Sequence, residues 1–552
     1  MRRSHLRRAA LVAALGLGTV IPLATMAAHG ATKPVATFTP YVVTDGTDPV
    51  TGGEPSLGYD PKHDVVVFGA AIHQTTMKFT DTAKGTTLKQ TDVTEPIKTT
   101  SLDPITFVDK QTGRIFASQL LLACSEMYYS DDAGDNWTQS SGCGLATLLD
   151  HQTVGGGPFH APLTGGVAGY PNAVYYCAQN GFNASCSVSL DGGLTFGPGV
   201  PISNTPINDP GNPYGGACSG IHGHLKVAPN GTAYIPIKGC HGKPTFKNLT
   251  NSEFWGGQPA VSVSKNNGIT WRIHTVPGGH NADESDTAVD IDKAGRVYLG
   301  WQDGTNPNQI ILGNKSSAKT AYSDDEGKTW SKPYDLSSAL GVKNVQFPQV
   351  VAGDKGRAAI AFIGTDAVGD DQHNGFLVKN GKPGVWHLYV SLTYDGGKTW
   401  KTIDTTPKDP VQRGCVDLQG LSNKTATDPN ICDQRNMLDF NDITIDGKGR
   451  VIVGYSDGCI GACVKNNSAT ANESSHENLN MVMRQSSGRG LLAAFDPKTG
   501  TSGGTPGGSA SGGNSGGQGS LATTGGTPLL ALAGLFLLVA GVGLRRWWLR
   551  HN

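Results

Sequence analysis

The sequence has 552 residues, of which 16% are charged, and its 44 Lys and Arg residues nearly balance its 45 Asp and Glu residues. Seven arginines lie in two terminal segments without acidic residues, so the rest of the chain carries a net charge of about −8. With no basic stripe interleaved with aromatic residues, this charge argues against a nucleic-acid partner. The low charged fraction and the 76 glycines exclude a coiled coil and a disordered chain and favour a compact β fold.

The amino terminus has the pattern of an export signal. Four arginines within the first eight residues precede an apolar run from Ala9 to about Leu23, and the small residues Ala28 and Gly30 follow. The secretion machinery recognises this order of charged, apolar and small-residue regions, and the apolar run is too short for a stable membrane span. Residues 1–31 are therefore predicted to be a signal peptide, with a short buried helix as the alternative.

One eight-residue motif recurs five times along the middle of the chain, and all copies fit S/T-x-D/N-x-G-x-T/N-W/F. The copies occupy residues 130–137, 189–196, 264–271, 323–330 and 393–400. In such a motif the Asp or Asn side chain accepts backbone N–H groups, the Gly permits a positive φ, and the aromatic ring inserts between sheets. Each copy is therefore predicted to be a tight hairpin.

A second repeat alternates with the first and consists of a turn followed by a β-rich run. Five clear copies and two weaker ones begin at Asp109, Asn230, Asp292, Asp354, Asp446, Asp60 and Tyr170. Each is predicted to be the hairpin between the first two strands of a four-stranded unit. Seven units of about 65 residues fit the stretch from residue 40 to 496, and six remain the alternative if the repeat near Tyr170 is an insertion.

The eight-residue motif resembles the Asp box, or BNR repeat, of sialidase-like propellers. The resemblance implies that residues 32–499 form an all-β fold, a β-propeller of four-stranded antiparallel blades, seven in number with six as the alternative. It also implies that the box aspartates are structural, with calcium or sugar binding by the boxes as the alternative. The box-free first and last repeats are expected to meet and close the ring, which removes exposed sheet edges.

All ten cysteines fall within the predicted propeller, between Cys124 and Cys463. In an exported protein an even number of cysteines favours disulfides, for example Cys124 with Cys143 and Cys218 with Cys240. Metal binding and free thiols are the alternatives, although no CxxC…CxxC layout of a structural zinc site is present.

In sialidase-like families the loops at one mouth of the central channel carry the ligand chemistry. The innermost strand of each blade starts at that mouth, and the hairpins of the second repeat lie on the opposite face. In the first, second and fifth repeats, the residue six positions before the first residue of the turn is Glu54, Asp103 and Asp286, respectively. The residue at the equivalent position of the fourth repeat is His222. We predict these four as catalytic groups, one carboxylic acid protonating the leaving oxygen of a glycosidic bond and another carboxylate activating water.

Further residues are expected to bind substrate at the same mouth. The residues at the equivalent position of the sixth and seventh repeats are Phe347 and Phe440. Aromatic side chains beside carboxylates are common where sugars bind. The predicted substrate-binding residues are His224, Asp283, Glu284, Phe347, Arg435, Asp439, Phe440 and Asp442.

The same residues have other interpretations. They could cap strands, hydrogen-bond across the channel or hold a structural calcium ion, and no other cofactor is expected. No metal ligand is assigned, with a zinc site formed by His222, His224 and Asp286 as the alternative.

The sialidase active-site pattern itself is not recognisable. Sialidases hold the substrate carboxylate with three arginines and commonly carry an Arg-Ile-Pro element, which this sequence lacks. Four of the nine arginines between residues 40 and 500 belong to the hairpin turns of the opposite face. The predicted function is an exo-acting glycoside hydrolase for extracellular glycans or glycoproteins. The alternatives are a non-catalytic propeller that binds glycan or protein, and a metal-dependent lyase or esterase.

The carboxyl-terminal segments predict how the propeller is attached. Residues 500–520 are almost wholly Gly, Ser, Thr and Pro, which predicts a flexible tether because such a segment cannot bury enough apolar area to become ordered. The segment 521–552 begins with Leu-Ala-Thr-Thr-Gly and continues with an apolar stretch and three arginines.

Residues 521–552 resemble a sortase sorting signal. The family pattern is Leu-Pro-x-Thr-Gly, and Ala522 stands here at the Pro position. The resemblance implies cleavage between Thr524 and Gly525 and attachment of the exported propeller to peptidoglycan outside a Gram-positive cell. Without sortase the apolar stretch would be a single-pass membrane anchor, the only predicted contact with the membrane.

Overall fold

The structure is a computed structural model. It describes residues 36–96, 103–121, 124–140, 150–179, 184–203, 218, 221–240, 257–280, 285–304, 315–369, 377–378, 382–416, 418, 435–465 and 478–497. Within these ranges the helices are four single 3-10 turns at Val167–Gly169, Ser338–Leu340, Cys463–Lys465 and Ala493–Phe495. The rest is strand, turn and loop, as the composition predicts.

The strands form seven four-stranded antiparallel sheets, blades 1 to 7 in chain order. Blade 1 consists of β2 Ser56–Asp60, β3 Val65–Ala70, β4 His73–Thr82 and β5 Gly85–Asp92. Blade 2 consists of β6 Pro104–Val108, β7 Ile115–Leu121, β8 Cys124–Ser130 and β9 Thr138–Gln139. Blade 3 consists of β10 Asp150–Pro158, β11 Asn172–Gln179, β12 Ala184–Ser189 and β13 Val200–Pro201. Blade 4 consists of β14 Lys226–Val227, β15 Ala233–Cys240, β16 Gln258–Ser264 and β17 Arg272–Thr275.

The remaining three blades complete the propeller. Blade 5 is β18 Ala288–Ile291, β19 Val297–Gly304, β20 Ser316–Ser323 and β21 Tyr334–Asp335. Blade 6 is β22 Asn344–Ala352, β23 Ala358–Thr365, β26 Val385–Thr393 and β27 Lys401–Asp404, with the inserted hairpin β24 Leu377–Val378 and β25 Lys382–Pro383, and with β28 Gln412–Arg413 paired to β26. Blade 7 is β29 Asp442–Ile445, β30 Val451–Asp457, β31 Leu479–Gly488 and β1 Ala36–Val42.

The amino-terminal strand closes the ring. β1 is the outermost strand of blade 7 and pairs with β31, from Ala36 opposite Gly488 to Val42 opposite Met481. The innermost strand of blade 7 also packs beside that of blade 1. The predicted meeting of the first and last repeats is confirmed, and the ring avoids a long exposed sheet edge.

The number of blades follows from the weak repeat near Tyr170. This repeat is followed directly by β11, which is the second strand of blade 3 and pairs with β10. The repeat is therefore a blade hairpin and not an insertion, so the chain forms a seven-bladed β-propeller and the six-bladed alternative is wrong.

The five Asp boxes form the turns between the third and fourth strands of blades 2 to 6. In blade 3, Ser189 Oγ accepts the Gly193 N–H at 2.7 Å, and Asp191 Oδ1 accepts the Thr195 N–H at 2.9 Å. Burial raises the pKa of Asp191, but hydrogen bonds from Thr195 and Ser189 outweigh it and hold that pKa below its usual value. The carboxylate is used within the turn, as expected of a structural residue.

The aromatic residue of each box packs between its own blade and the preceding one. Trp271 of blade 4 is 3% exposed and makes an edge contact with Tyr175 of blade 3, with ring centroids 6.2 Å apart. Apolar second strands such as β3 and β23 are buried along their whole length between neighbouring blades. The core is therefore a series of clusters between blades rather than one central cluster.

The predicted disulfide between Cys218 and Cys240 is confirmed, and further disulfides join Cys177 to Cys186 and Cys459 to Cys463. No cysteine in the described ranges is free. Cys143, predicted to pair with Cys124, lies outside those ranges.

The predicted signal peptide, tether and sorting signal, with Thr524 and Gly525, also lie outside the described ranges. Among the residues that the structure does describe, no helix has the length and apolar character to cross a membrane.

Candidate functional site

The innermost strands β2, β6, β10, β14, β18, β22 and β29 line the channel in this order and all start at the same end, which we call the mouth. Glu54, Asp103 and Asp286 each lie one or two residues before such a strand. The turns that join first to second strands lie at the other end, which we call the hairpin face. The repeat register therefore brings ionisable residues from separate blades to one opening.

Glu54 is 1% exposed and lies beside two other carboxylates and one arginine. Burial, and then the negative charges of Asp103 and Asp439, raise the pKa of Glu54 well above its usual range. The charge of Arg435 opposes this rise without reversing it, and its guanidinium is paired with both oxygens of Asp439, at 2.6 and 2.8 Å. Glu54 is therefore expected to keep its proton to a higher pH than an exposed glutamate does.

The backbone at Glu54 is held in an unusual conformation. Its φ is 55°, a region that non-glycine residues seldom occupy and that costs on the order of 1 kcal/mol or more. His151, on β10, has a φ of 48°. Two residues at one opening therefore keep backbone strain that their surroundings stabilise, a feature that clusters at functional sites.

Asp103 and His151 connect Glu54 to a second carboxylate. The backbone N–H of His151 donates to Asp103 Oδ2 at 3.1 Å, and His151 Nδ1 lies 3.2 Å from Asp286 Oδ2. Burial raises the pKa of Asp286, but His151, through its charge when protonated and through its hydrogen bond, and Lys238 together produce a net lowering. Asp286 is therefore expected to be ionised where Glu54 is protonated.

His222 lies beside the His151–Asp286 pair. It is 2% exposed, and its Nδ1 is 3.1 Å from the carbonyl oxygen of Gly223. Burial lowers the pKa of His222 to about 4, with His151 contributing in the same direction. The imidazole is therefore neutral at pH 7, and in the described part of the chain its buried Nε2 has no hydrogen-bond partner.

His224, Phe440 and Asp442 continue the same surface. His224 Nδ1 lies 3.6 Å from Asp442 Oδ1, and the ring makes an edge contact with Phe440 at a centroid distance of 4.9 Å. Burial raises the pKa of Asp442, but its contact with His224, the charge of Lys226 and the Leu57 N–H help to lower it below its usual value. The other oxygen of Asp442 accepts the Leu57 N–H at 2.8 Å, which fixes the carboxylate at the start of β2.

Not every nominated residue is available at the mouth. Phe347 is 1% exposed and belongs to the apolar cluster around Val351 and Met437, while its N–H donates to Ser285 Oγ at 3.0 Å. Asp283 and Glu284 lie outside the described residues.

No group of three or more His, Cys, Asp or Glu side chains in the described ranges is arranged to hold a metal ion. Two residues of the zinc alternative have other partners: Asp286 contacts His151, and His224 contacts Asp442.

The arginines of the hairpin turns are paired with carboxylates on the hairpin face. Arg114 and Arg296 bind Asp131 and Asp324 with two hydrogen bonds each, all between 2.6 and 2.7 Å. Among the described residues, the arginine next to Glu54 is Arg435, which is held by Asp439. The described mouth therefore lacks a cluster of three arginines for a substrate carboxylate.

Sequence reasoning missed His151 and Lys238. His151 lies in a β-bulge, since the pairing of β10 with β11 shifts between Asp150 and Thr153, and a long segment separates β10 from β11. A count back from Tyr170 therefore does not reach it. The available signal is a histidine at the start of a β-rich run in the third repeat, the one repeat in which the count identifies no residue at the mouth.

Comparison with known proteins gives one family match, to the BNR/Asp-box repeat, over residues 321–332. No curated protein matches the sequence.

Similar solved structures include a Hadza microbial sialidase, with 13% identity, a TM-score of 0.36, and coverage of 69% of this chain and 65% of that one. The sialidase of Trypanosoma rangeli in complex with sialic acid has 14% identity, a TM-score of 0.34 and coverages of 74% and 56%. Both sialidases are thus matched over less than two thirds of their length. An ulvan lyase has 9% identity, a TM-score of 0.41 and coverages of 75% and 92%.

The family match falls on the box of blade 5, and the other four copies repeat its pattern at the same position in their blades. Together with the ring of seven blades, this supports a sialidase-like Asp-box propeller.

Proposed function

We propose that this chain is a glycoside hydrolase that acts on extracellular glycans at the channel mouth, with Glu54 as the general acid. The His151–Asp286 pair is the general base in this proposal. The observation that supports it is the opposite shift of two carboxyl pKa values within one connected cluster, since Glu54 is raised and Asp286 is lowered. Carboxyl groups whose environments push their pKa values apart are the usual acid and base of such reactions.

The reaction assigns one proton transfer to each partner. Protonated Glu54 gives its proton to the glycosidic oxygen as the bond from that oxygen to the anomeric carbon breaks. Water adds its oxygen to the anomeric carbon and passes a proton to the imidazole of His151. Ionised Asp286 holds the ring through Nδ1 and stabilises the imidazolium that forms. Exchange with solvent returns both groups to their starting states.

The cellular location in this proposal rests on the terminal sequences. The signal-peptide pattern of residues 1–31 supports export, and the Leu-Ala-Thr-Thr-Gly element supports sortase-dependent attachment to peptidoglycan. The substrate would then be a glycan or glycoprotein outside the cell.

A second candidate function is a lyase that removes a proton from a sugar carbon. The neutral imidazole of His222 favours it, because a buried histidine with a lowered pKa is ready to accept a proton at pH 7. A lyase leaves an unsaturated sugar at the cleaved end, whereas a hydrolase consumes one water molecule per bond.

The test is turnover of a glycan panel by the full-length chain and by Glu54→Gln. We expect hydrolysis by the parent chain and a roughly 10²- to 10⁴-fold lower kcat in the variant, because glutamine cannot supply the proton. Glu326→Gln is the matched control, since Glu326 pairs with Lys265 on the hairpin face and should leave turnover unchanged. Unsaturated products would select the lyase, and binding without turnover would select the non-catalytic propeller.

A further inference from the structure

A cavity of about 250 Å³ lies on the hairpin face where blade 7 meets blade 1, and we call it the seam cavity. It is on the opposite side of the ring from Glu54, because its wall includes the turns that end β2 and β29. Its principal lining residues are Tyr59, Phe79, Asp81, Lys448, Arg484 and Phe495.

The position of the cavity follows from the distribution of the Asp boxes. In blades 2 to 6 the box aromatic fills the space between its own blade and the preceding one, as Trp400 does against Tyr298 at a centroid distance of 6.4 Å. Blade 1 has no box, and a short turn joins Thr82 of β4 to Gly85 of β5 instead. The junction between blades 7 and 1 therefore has no box aromatic, and this is where the cavity opens.

One wall of the seam cavity is polar but its charges are compensated. Arg484 is 3% exposed, and its two terminal nitrogens each lie 2.9 Å from an oxygen of Asp81, while Nη2 also lies 3.2 Å from Asp446. Arg450 binds the same Asp81 carboxylate. The guanidinium is therefore held in place by carboxylates, and the wall has no large excess of either charge.

The other wall is aromatic. Phe79 packs under the guanidinium of Arg484, whose central carbon lies 4.7 Å from the ring centroid. The hydroxyl of Tyr59 donates to Asp64 at 2.7 Å, which fixes the ring in this wall. Phe495 is 54% exposed at the rim, although large apolar side chains are usually covered. Flat apolar surfaces beside hydrogen-bonding groups match a sugar ring, which has apolar C–H faces and hydroxyl edges.

The volume limits the size of the ligand. A space of about 250 Å³ holds about eight water molecules at roughly 30 Å³ each. It is smaller than the roughly 300–1,000 Å³ of pockets for drug-sized ligands. One pyranose ring fits this space, and a second would extend into solvent past Phe495.

We propose that the seam cavity is a second carbohydrate site, which takes one neutral monosaccharide unit of a glycan on the face opposite the mouth. Phe495 covers an apolar face of the sugar ring, and the Lys448 ammonium donates to one of its hydroxyls. A glycan held there stays attached to the propeller independently of any reaction at the mouth.

The test is saturation-transfer NMR on the full-length chain with methyl glucoside, methyl galactoside, methyl mannoside and N-acetylglucosamine as neutral probes. Glucuronate and glucosamine serve as charged probes. We expect saturation of at least one neutral probe and a roughly five- to tenfold weaker Kd after Phe495→Ala, which removes the ring contact. Lys448→Gln should weaken the same probe, and both residues are exposed enough for the variants to fold.

Two control variants locate the binding. Ile269→Ala removes an apolar side chain that is 68% exposed on another blade, and it should leave the Kd unchanged. Glu54→Gln should also leave it unchanged, which separates this site from the proposed catalytic one. Absence of saturation for every neutral probe, a preference for charged probes, or a Kd that survives Phe495→Ala but is lost in His224→Ala would overturn the proposal.

Discussion

At the hairpin face, Asp292 accepts backbone N–H groups from Ala294 and Arg296 of its own turn, at 2.9 and 3.0 Å. At the mouth, Glu54 lies against Asp103 and Asp439, and burial and charge raise its pKa. The carboxylate of Asp292 is thus satisfied by its own turn, whereas that of Glu54 is close to the charges of two other carboxylates. Carboxylates used within turns stabilise the fold, whereas those that share a cavity have altered protonation and are available for chemistry.

The largest effect on stability is expected between blades. Trp271→Ala removes an aromatic ring that is 3% exposed, and we expect a loss of about 3–5 kcal/mol in the free energy of unfolding. Denaturant unfolding measures it, with Ile269→Ala as an exposed control in the same box. A loss below about 1 kcal/mol would show that the box aromatics do not hold neighbouring blades together.

The next largest effect is expected on catalysis, and two histidine variants compare the channel mouth with the hairpin face. His151→Gln should lower kcat by roughly 10²- to 10³-fold, because the amide cannot accept the proton of the attacking water. His63→Gln is the matched control, since His63 contacts Asp60 on the hairpin face in the way that His151 contacts Asp286 at the mouth. Equal turnover in the two variants would remove His151 from the reaction.

A smaller effect is expected at a single Asp box. Asp325→Ala should lower the free energy of unfolding by about 1–2 kcal/mol, because the backbone and side chain of Thr329 lose acceptors at 2.8 and 2.7 Å. Asp325→Asn should recover most of the loss, since Asn266 occupies the equivalent position in blade 4 and accepts the Thr270 N–H at 2.9 Å. Thermal unfolding of both variants checks this order, and an alanine variant as stable as the asparagine variant would contradict it.

Much of the architecture could be predicted because its signals are local. The turn residues of the boxes and hairpins mark every blade, and a fixed distance from turn to strand start predicts that Glu54, Asp103 and Asp286 share one end of the channel. The structure places these three there: His151 contacts Asp103 and Asp286, and the charge of Asp103 acts on Glu54.

What could not be predicted depends on departures from the regular register. The bulge between Asp150 and Thr153 brings His151 to the mouth, and the bulge between Gln346 and Gln349 accompanies the burial of Phe347. A bulge changes which face a side chain occupies without changing the hydrophobic pattern around it. The seam cavity lies at a junction without a box aromatic, and this becomes visible only when the blades are placed beside each other.

The central claim is that Glu54 keeps its proton to a higher pH than Asp286 does. The direct measurement is a carbon-13 NMR titration of the side-chain carboxyls, with Glu54→Gln and Asp286→Asn used to assign the two signals. We expect the Glu54 signal to titrate well above the usual glutamate pKa of about 4.5 and the Asp286 signal below about 3.8. The acid form, and with it kcat, should then be lost as pH rises through the pKa of Glu54. If both carboxyls titrate near 4, the two groups are not divided into acid and base and the proposed mechanism is wrong.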